Sequence, residues 1–342
     1  MRICAHGGIE QIEWRDLPVR ALTSNEVRVA VQAVGLNHLD LWVRRGVPGH
    51  KFPLPLTPGS DAAGHISEIG SSVRNLQVGD RVVVAPGIGC GTCEPCLNGL
   101  DHRCRRYEIL GENRDGTCAD SVIVPASHAI SLPARVSLEE GACFVLSALT
   151  AWTMLVERAA IRAGEKVLVL SGGSGLGVMA IQIARLHGCR VIATGGGEQK
   201  CRQIEALGVR DVIDHSREDI LDAVRARTDK EGVDVVVEHV GEKTWSASLK
   251  SLVRGGRLVT CGATSGARGD LDIRQLFFKN LSVLGSTMGP VGLVPKLVRL
   301  LVDGLLKPIV HRSLEFADIR EAHQLLENRE VFGKIVLRRS VD

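Results

Sequence analysis

The sequence predicts a two-domain α/β protein: a doubly wound parallel sheet inserted into a mostly β domain. Three observations carry this. Residues 147 to 286 alternate short apolar runs with helical patterns. Residues 1 to about 135 read as short strands punctuated by Pro48-Gly49, Pro58-Gly59, Gly70-Ser71 and Gly79-Asp80. Within residues 147 to 286 lies Ser171–Gly177, a glycine turn that follows one strand and opens a helix. With 342 residues, 44% of them apolar, the chain is long enough for two packed cores.

Taken in order, Glu26 to Val34 alternates at period two, and Ala63 to Ile69 and Asp80 to Val84 are further strands. In the parallel sheet, Val167 to Leu170 is a buried strand. Val178, Ile181, Ala184 and Leu186 recur at helical spacing, and Arg190 to Thr194 return as a strand. Asp211 to Ile213, Val233 to Glu238, Gly256 to Gly262 and Leu281 to Gly285 complete six strands, with crossover helices at Arg217 to Arg227 and Lys243 to Leu252. The tail, with helices over Leu293 to Asp303 and from Ala317-Asp318 to Asn328 and a strand at Phe332 to Leu337, is expected to rejoin the first domain. The domains are therefore 1–146 with 287–342, and 147–286.

Lys and Arg total 42 against 39 for Asp and Glu, so the net charge of +3 makes no case for nucleic acid or an anionic membrane. No apolar run reaches the length of a membrane span, and the first residues carry charges where a secretory signal needs an apolar core. A cytoplasmic location and a small-molecule substrate are expected.

Four of the ten cysteines, Cys90, Cys93, Cys96 and Cys104, fall within fifteen residues in a lobe spanning 88–106. In a reducing compartment such a cluster points to metal rather than disulfides. Four thiolates suit tetrahedral zinc and leave no position open for water, so one structural Zn²⁺ is expected. Four thiolates also ligate iron–sulfur clusters, which stays open at this point.

The glycine turn reads Gly172, Gly173, Ser174, Gly175, Leu176, Gly177, where a dinucleotide pyrophosphate meets a helix N-terminus. An NAD-binding unit usually ends its second strand in Asp or Glu. Here that strand runs into Gly195, Gly196 and Gly197, followed by Lys200 and Arg202, so NADP(H) is expected over NAD(H).

The chain resembles the medium-chain dehydrogenase/reductase superfamily. The resemblance rests on Gly35-Leu-Asn-His-Leu-Asp40, Pro58-Gly-Ser-Asp-Ala-Ala-Gly64, Val78-Gly-Asp-Arg-Val82, the four-cysteine lobe, Leu149-Thr-Ala-Trp152, the glycine turn, Gly232-Val-Asp-Val-Val236 and Phe332-Gly-Lys334. It implies a GroES-like β domain plus a Rossmann domain, in a homodimer or homotetramer. It places cofactor contacts at Thr150, His215 (near a 2′-phosphate), Val240, Gly262, Thr264 and Ser286, and at Lys334, expected to reach cofactor phosphate.

Relatives with a catalytic zinc hold it through Cys, His and Cys. The matching positions here are Asn37, the Gly59-Ser60-Asp61 segment and Leu146 (or Ser147), and the relay hydroxyl falls at Leu39. His38, Asp61 and Cys143 are nearby in sequence, and whether they rebuild a zinc site stays open. Without a Lewis acid the alkoxide of an alcohol lacks its stabiliser. An already electrophilic substrate needs less help. Asn37 and Asp40 fit the Asn-x-x-Asp of the zinc-free quinone and enone reductases, and Asn37, His38 and Ser60 are the donors expected near a developing enolate oxygen. The expectation is NADPH-dependent reduction of an activated C=C bond or quinone. The alternatives are an alcohol dehydrogenase or carbonyl reductase with a rebuilt zinc site, and a cofactor-binding regulator without turnover. Metal analysis of the purified protein is expected to find one zinc per chain; neither zinc nor iron would overturn the assignment of the lobe.

Overall fold

A computed structural model describes residues 1–339. The chain forms two compact units, Met1–Leu146 joined by the chain from Pro290 onward, and Ser147–Gly289. The second crossing thus falls three residues beyond the expected 286.

In the first unit, Val27, Val29 and Val31 alternate with polar neighbours, so Glu26–Gly35 forms a long strand, β1, with one face in the core. Asn37 then starts a short helix, α1 (His38–Arg45), which the sequence reading lacked. Next come β2 (Asp61–Ile69), β3 (Arg81–Val84), β4 (Ser121–Pro125) and β5 (Ala129–Ser131).

The second unit contains β6 (Lys166–Val169), α2 (Gly175–Leu186), β7 (Arg190–Gly195), α3 (Glu198–Ala206), β8 (Asp211–Asp214), α4 (Ile220–Arg227), β9 (Val233–Glu238), α5 (Glu242–Lys250), β10 (Leu252–Thr260), α6 (Ile273–Phe278) and β11 (Ser282–Gly285). All six strands are parallel, in the order β8-β7-β6-β9-β10-β11. That is the doubly wound dinucleotide-binding order, with the chain reversing direction beside β6. Its core includes Leu168, Ile192, Val236 and Leu258. Helix α4 begins at Ile220, later than the expected Arg217. The Asp214 carbonyl takes the Arg217 and Glu218 N–H groups and holds a turn, and Asp219 then caps the helix by accepting from Asp222 N.

The tail adds α7 (Val294–Val302), β12 (Val310–Glu315), α8 (Ile319–Glu327) and β13 (Lys334–Arg338) to the first unit. Strand β12 is mostly solvent-facing and shows no apolar alternation, which is why its sequence gave no strand signal. The first unit's main sheet runs β12-β13-β1-β2-β3-β5, with β4 also pairing β1.

The register of this sheet brings distant segments to one point. Gly35, the last residue of β1, pairs with Asp61 at the start of β2 on one side and with Val336 of β13 on the other. Asn37 lies two residues beyond Gly35, and Lys334 two residues before Val336. Glycine is required at the junction: a Cβ there would lie 2.1 Å from the Ala142 carbonyl oxygen. Gly35→Ala is expected to lower stability by about 1–3 kcal/mol, seen as a fall in melting temperature. Gly292→Ala, where a Cβ meets nothing within 4 Å, is expected to leave the melt unchanged.

Candidate active site

The junction around Gly35 holds a buried polar network. Lys334 Nζ donates to Asn37 Oδ1 at 2.5 Å and to Asp61 Oδ2 at 3.1 Å. The Asn37 amide donates to Asp61 Oδ2 at 3.1 Å and to the Gly35 carbonyl at 3.2 Å. Asp61 Oδ1 accepts from Leu146 N at 2.8 Å. Asp61 therefore fixes local backbone and pairs with a cation at once. Asp40 lies alongside: its carboxylate accepts from Asn37 N at 2.7 Å and from Gly59 N at 2.9 Å, tying α1 to the loop before β2. Ser60 donates its hydroxyl to the Leu110 carbonyl at 2.7 Å.

These placements revise several sequence-derived roles. Lys334, expected at cofactor phosphate, has its ammonium buried in the first unit on Asn37 and Asp61. Both amide protons of Asn37 are engaged within the protein, and so is the hydroxyl proton of Ser60. Asp40 is fully buried and serves as a helix cap. His38 is half-buried at the start of α1, its ring edge-on to Trp42 at 5.5 Å.

Burial sets the electrostatics. It pushes the Asp40 carboxyl up to about 6, against the two backbone N–H groups and the Lys334 charge that pull it down, while Asp61 adds to the rise. Burial likewise pushes the Cys143 thiol up to about 12, with Lys334 pulling it down and Asp61 pushing it up.

A catalytic zinc does not fit this network. Asn37 and Leu146 stand at two ligand positions, Ser60 bonds to backbone, and the Asp61 carboxylate is held by an ammonium, an amide and a peptide N–H. Among the described residues, the only group of three or more His, Cys, Asp or Glu side chains assembled for a metal is the cysteine lobe.

That lobe does fit zinc. The Sγ atoms of Cys90, Cys93, Cys96 and Cys104 lie within 4.8 Å of one another. Tetrahedral zinc with its ~2.3 Å bonds to sulfur needs sulfurs ~3.8 Å apart, so a small contraction closes the site. The N–H groups of Cys90 and Arg106 point at Cys104 Sγ, 3.4 and 3.3 Å away, as they would toward a thiolate ligand.

In the second unit the glycine turn leaves room for a dinucleotide. A Cβ at Gly177 would lie 2.3 Å from the Ser171 carbonyl oxygen, so only glycine permits the close turn into α2. Ser174 caps that helix, its Oγ accepting from Gly177 N at 2.9 Å. Gly172 N donates to the Thr194 carbonyl at 2.8 Å, which sets the turn against the end of β7. After β7, Gly195–Gly197 runs beside His215: a Cβ on Gly196 would lie 3.0 Å from its Nε2. Nearby, Asp214 accepts from the Ser216 hydroxyl, Gly197 N and Ser216 N, which hold its carboxyl down at about 2. Lys200 sits half-buried in the first turn of α3. Thr150 donates to the Met288 sulfur at 3.8 Å, and Thr264 to the carbonyls of His239 and Val240 at 3.4 Å. Gly262 packs against the His239 carbonyl. Ser286 Oγ is buried with no protein partner, leaving a polar atom for a ligand at the end of β11. These residues fit a nicotinamide dinucleotide.

Comparison with known proteins agrees. A profile for the alcohol dehydrogenase GroES-like domain matches residues 23–134, and one for zinc-binding dehydrogenases matches 175–303. The quinone oxidoreductase of Rattus norvegicus is 29% identical over 98% of this chain and 96% of its own. An NAD-dependent alcohol dehydrogenase of Saccharolobus solfataricus is 32% identical over 91% and 92%. A crystal structure of an NAD-dependent alcohol dehydrogenase matches with a TM-score of 0.94 at 43% identity, covering 99% of this chain and 100% of the other. The chain belongs to the medium-chain dehydrogenase/reductase superfamily and is an NAD(P)-dependent oxidoreductase. No helix among the described residues is long and apolar enough to cross a membrane.

Sequence reasoning missed two members of the network: the Leu146 N–H, which carries no side-chain signature, and Lys334 as partner of Asp61 across 273 positions. The raised Asp40 pKa has a measurable consequence. Its carboxyl binds its proton more tightly in the folded chain, so this group's contribution to stability is present at low pH and is lost as pH rises from about 4 to about 6. Relative to Asp40→Asn, the wild type is expected to lose up to about 3 kcal/mol across that window, measured by denaturation at a series of pH values.

Proposed function

We propose that this protein is an NADPH-dependent reductase of activated C=C bonds or quinones that works without a catalytic metal. The observation that carries the proposal is that Asn37, Ser60 and Leu146 stand at the metal-ligand positions, while the neighbouring Asp61 carboxylate is taken up by Lys334, Asn37 and the Leu146 N–H. When bound, the reduced nicotinamide supplies a hydride. An enone or quinone accepts it at an electrophilic carbon, and the developing charge gathers on oxygen, where hydrogen-bond donors are enough to stabilise it. An alcohol substrate would instead need its alkoxide stabilised and its proton removed, and neither task has a metal here. The named activity of the rat quinone oxidoreductase agrees with this choice.

For the cofactor, Gly195–Gly197, the half-buried Lys200 and the His215 ring beside Gly196 support a 2′-phosphate. The carboxylate expected of an NAD site is absent from the end of β7, and Asp214 is turned onto backbone N–H groups. A homo-oligomer built on the second unit is part of the same proposal. Strand β11 lies at the sheet edge, and Ile273, Phe277 and Phe278 of α6 are 70%, 56% and 65% exposed.

The test uses the purified, zinc-replete protein and follows NADPH oxidation with a panel of enones, quinones and aldehydes, and reduction of NADP⁺ or NAD⁺ with a panel of alcohols. Turnover of enones or quinones that is insensitive to chelator is expected. Zinc-dependent oxidation of simple alcohols without enone turnover would refute the proposal, and tight NADPH binding with no turnover would favour a regulatory role. NADPH is expected to bind more tightly than NADH, with His215→Ala weakening NADPH binding and sparing NADH; tighter binding of NADH would reverse the cofactor assignment.

A further inference from the structure

We propose that Glu238 is a positioning residue for the cofactor, its buried carboxylate fixing the two chain turns that serve the nicotinamide half of the dinucleotide. Glu238 holds this place whatever substrate the enzyme acts on.

The sheet of the second unit divides the ligand. A doubly wound sheet takes its dinucleotide across the carboxyl ends of its strands, one mononucleotide to each half. The glycine turn follows β6 and Gly195–Gly197 ends β7, so the adenosine side belongs to β6–β8. The half built on β9–β11 is left for the nicotinamide mononucleotide. Its first two turns are residues 239–241 after β9 and 261–266 after β10.

Glu238 closes β9 and is 0% exposed. Its two oxygens hold different elements. Oε1 accepts from Val240 N at 2.7 Å and from Gly241 N at 3.0 Å. Oε2 accepts from the Thr244 hydroxyl at 2.9 Å and the Ser248 hydroxyl at 2.6 Å. Thr244 and Ser248 lie one helical turn apart on α5. One side chain thus ties the turn after β9 to the helix that follows it. All four donors are neutral. A buried carboxylate held by neutral donors alone is costly to keep. Apolar packing has no need of such a group, whereas holding two peptide N–H groups in a fixed direction does.

The hold extends to the second turn. The Val240 carbonyl accepts from Ser265 N and from the Ser265 hydroxyl, both at 2.7 Å, and Ser265 Oγ accepts from Lys243 N at 3.0 Å. Gly241, at φ +92°, comes so near that a Cβ there would lie 2.5 Å from the Gly266 carbonyl oxygen. On the other side, His239 donates from Nε2 to the Leu170 carbonyl at 2.8 Å, immediately before the glycine turn. Without the carboxylate, Val240 N and Gly241 N lose their acceptor, and the Val240 carbonyl that seats Ser265 loses its support.

The test compares whole cofactors with fragments that lack the nicotinamide half: NADPH with 2′,5′-ADP, and NADH with ADP. Dissociation constants are measured for the wild type, Glu238→Ala, Glu238→Gln and the double variant Thr244→Val with Ser248→Ala. Circular dichroism and melting temperature check the fold, and binding is read well below each melt. Glu238→Ala is expected to weaken the more tightly bound of the two cofactors by on the order of tenfold, while the matching fragment binds as to the wild type. The Gln oxygen still accepts from both N–H groups, and the two hydroxyls can accept from its NH₂, so Glu238→Gln is expected to restore wild-type affinity. The double variant keeps Glu238 but frees it from α5, and is expected to weaken the cofactor and spare the fragment; it decides the matter if Glu238→Ala does not fold. Equal weakening of cofactor and fragment would overturn the proposal in favour of a general structural role. Unchanged cofactor affinity in the folded variants would overturn it too. Glu238→Gln binding no better than Glu238→Ala would overturn it in favour of an effect of charge. Failure of the wild type to bind either cofactor would overturn it outright.

Discussion

The first unit is organised by the contact between Lys334 and Asp61. Enclosing an ammonium and a carboxylate is costly, by several kcal/mol for each ion. The expense is offset only because every neighbour has its place. Asp61 accepts from an ammonium, an amide and a peptide N–H, and Asn37 bridges the two charges. Those partners come from the end of β1, the start of β2, the start of β13 and the Leu146 backbone. Gly35 makes the meeting possible, since any side chain there would displace the Ala142 carbonyl. The geometry of the sheet and the chemistry of the site are thus one constraint. The pair holds only if the register holds, and the register places the pair.

Much of the fold was legible in sequence because its signals are local. The alternation of Val27, Val29 and Val31, the glycines before α2 and the tight spacing of Cys90, Cys93, Cys96 and Cys104 each report on a few neighbouring residues. Five strands of the second unit fell within a residue of where apolar runs placed them, while β10 begins at Leu252, four residues before the expected Gly256. Strand β12 was not legible, because an edge strand facing water carries no alternation. Helix α1 does carry a local signal, the capping box between Asn37 and Asp40, which went unused because that stretch was read as a catalytic motif.

The candidate site was legible in its residues but not in their partners. Asn37, Asp40, Ser60, Asp61 and Lys334 could all be picked out from the chain. Which of them still had a proton to offer could not, since that depends on contacts between segments hundreds of residues apart. Asn37 looks like a free donor in sequence and is fully engaged in space. Lys334 looks like a phosphate ligand and lies instead at the centre of the network. The second unit follows the same rule. The glycines after β7 were readable, but the hydrogen bonds that Asp214 accepts from Gly197 and Ser216 needed coordinates.

The chain's excursion through the second unit has a consequence for synthesis. Residues 147–289 are contiguous, so that sheet has all its strands before Pro290 and the segment after it emerge. The first unit does not: β13 and its lysine are made after the second unit. Until they arrive, Asp61 has its backbone and amide donors but no counter-charge, and β1 has an unpaired flank. A chain that stops short of residue 334 would keep a whole nucleotide-binding sheet and leave the buried Asp61 without its ammonium. The first sheet and the neutralised Asp61 are therefore complete only once the chain has passed β13.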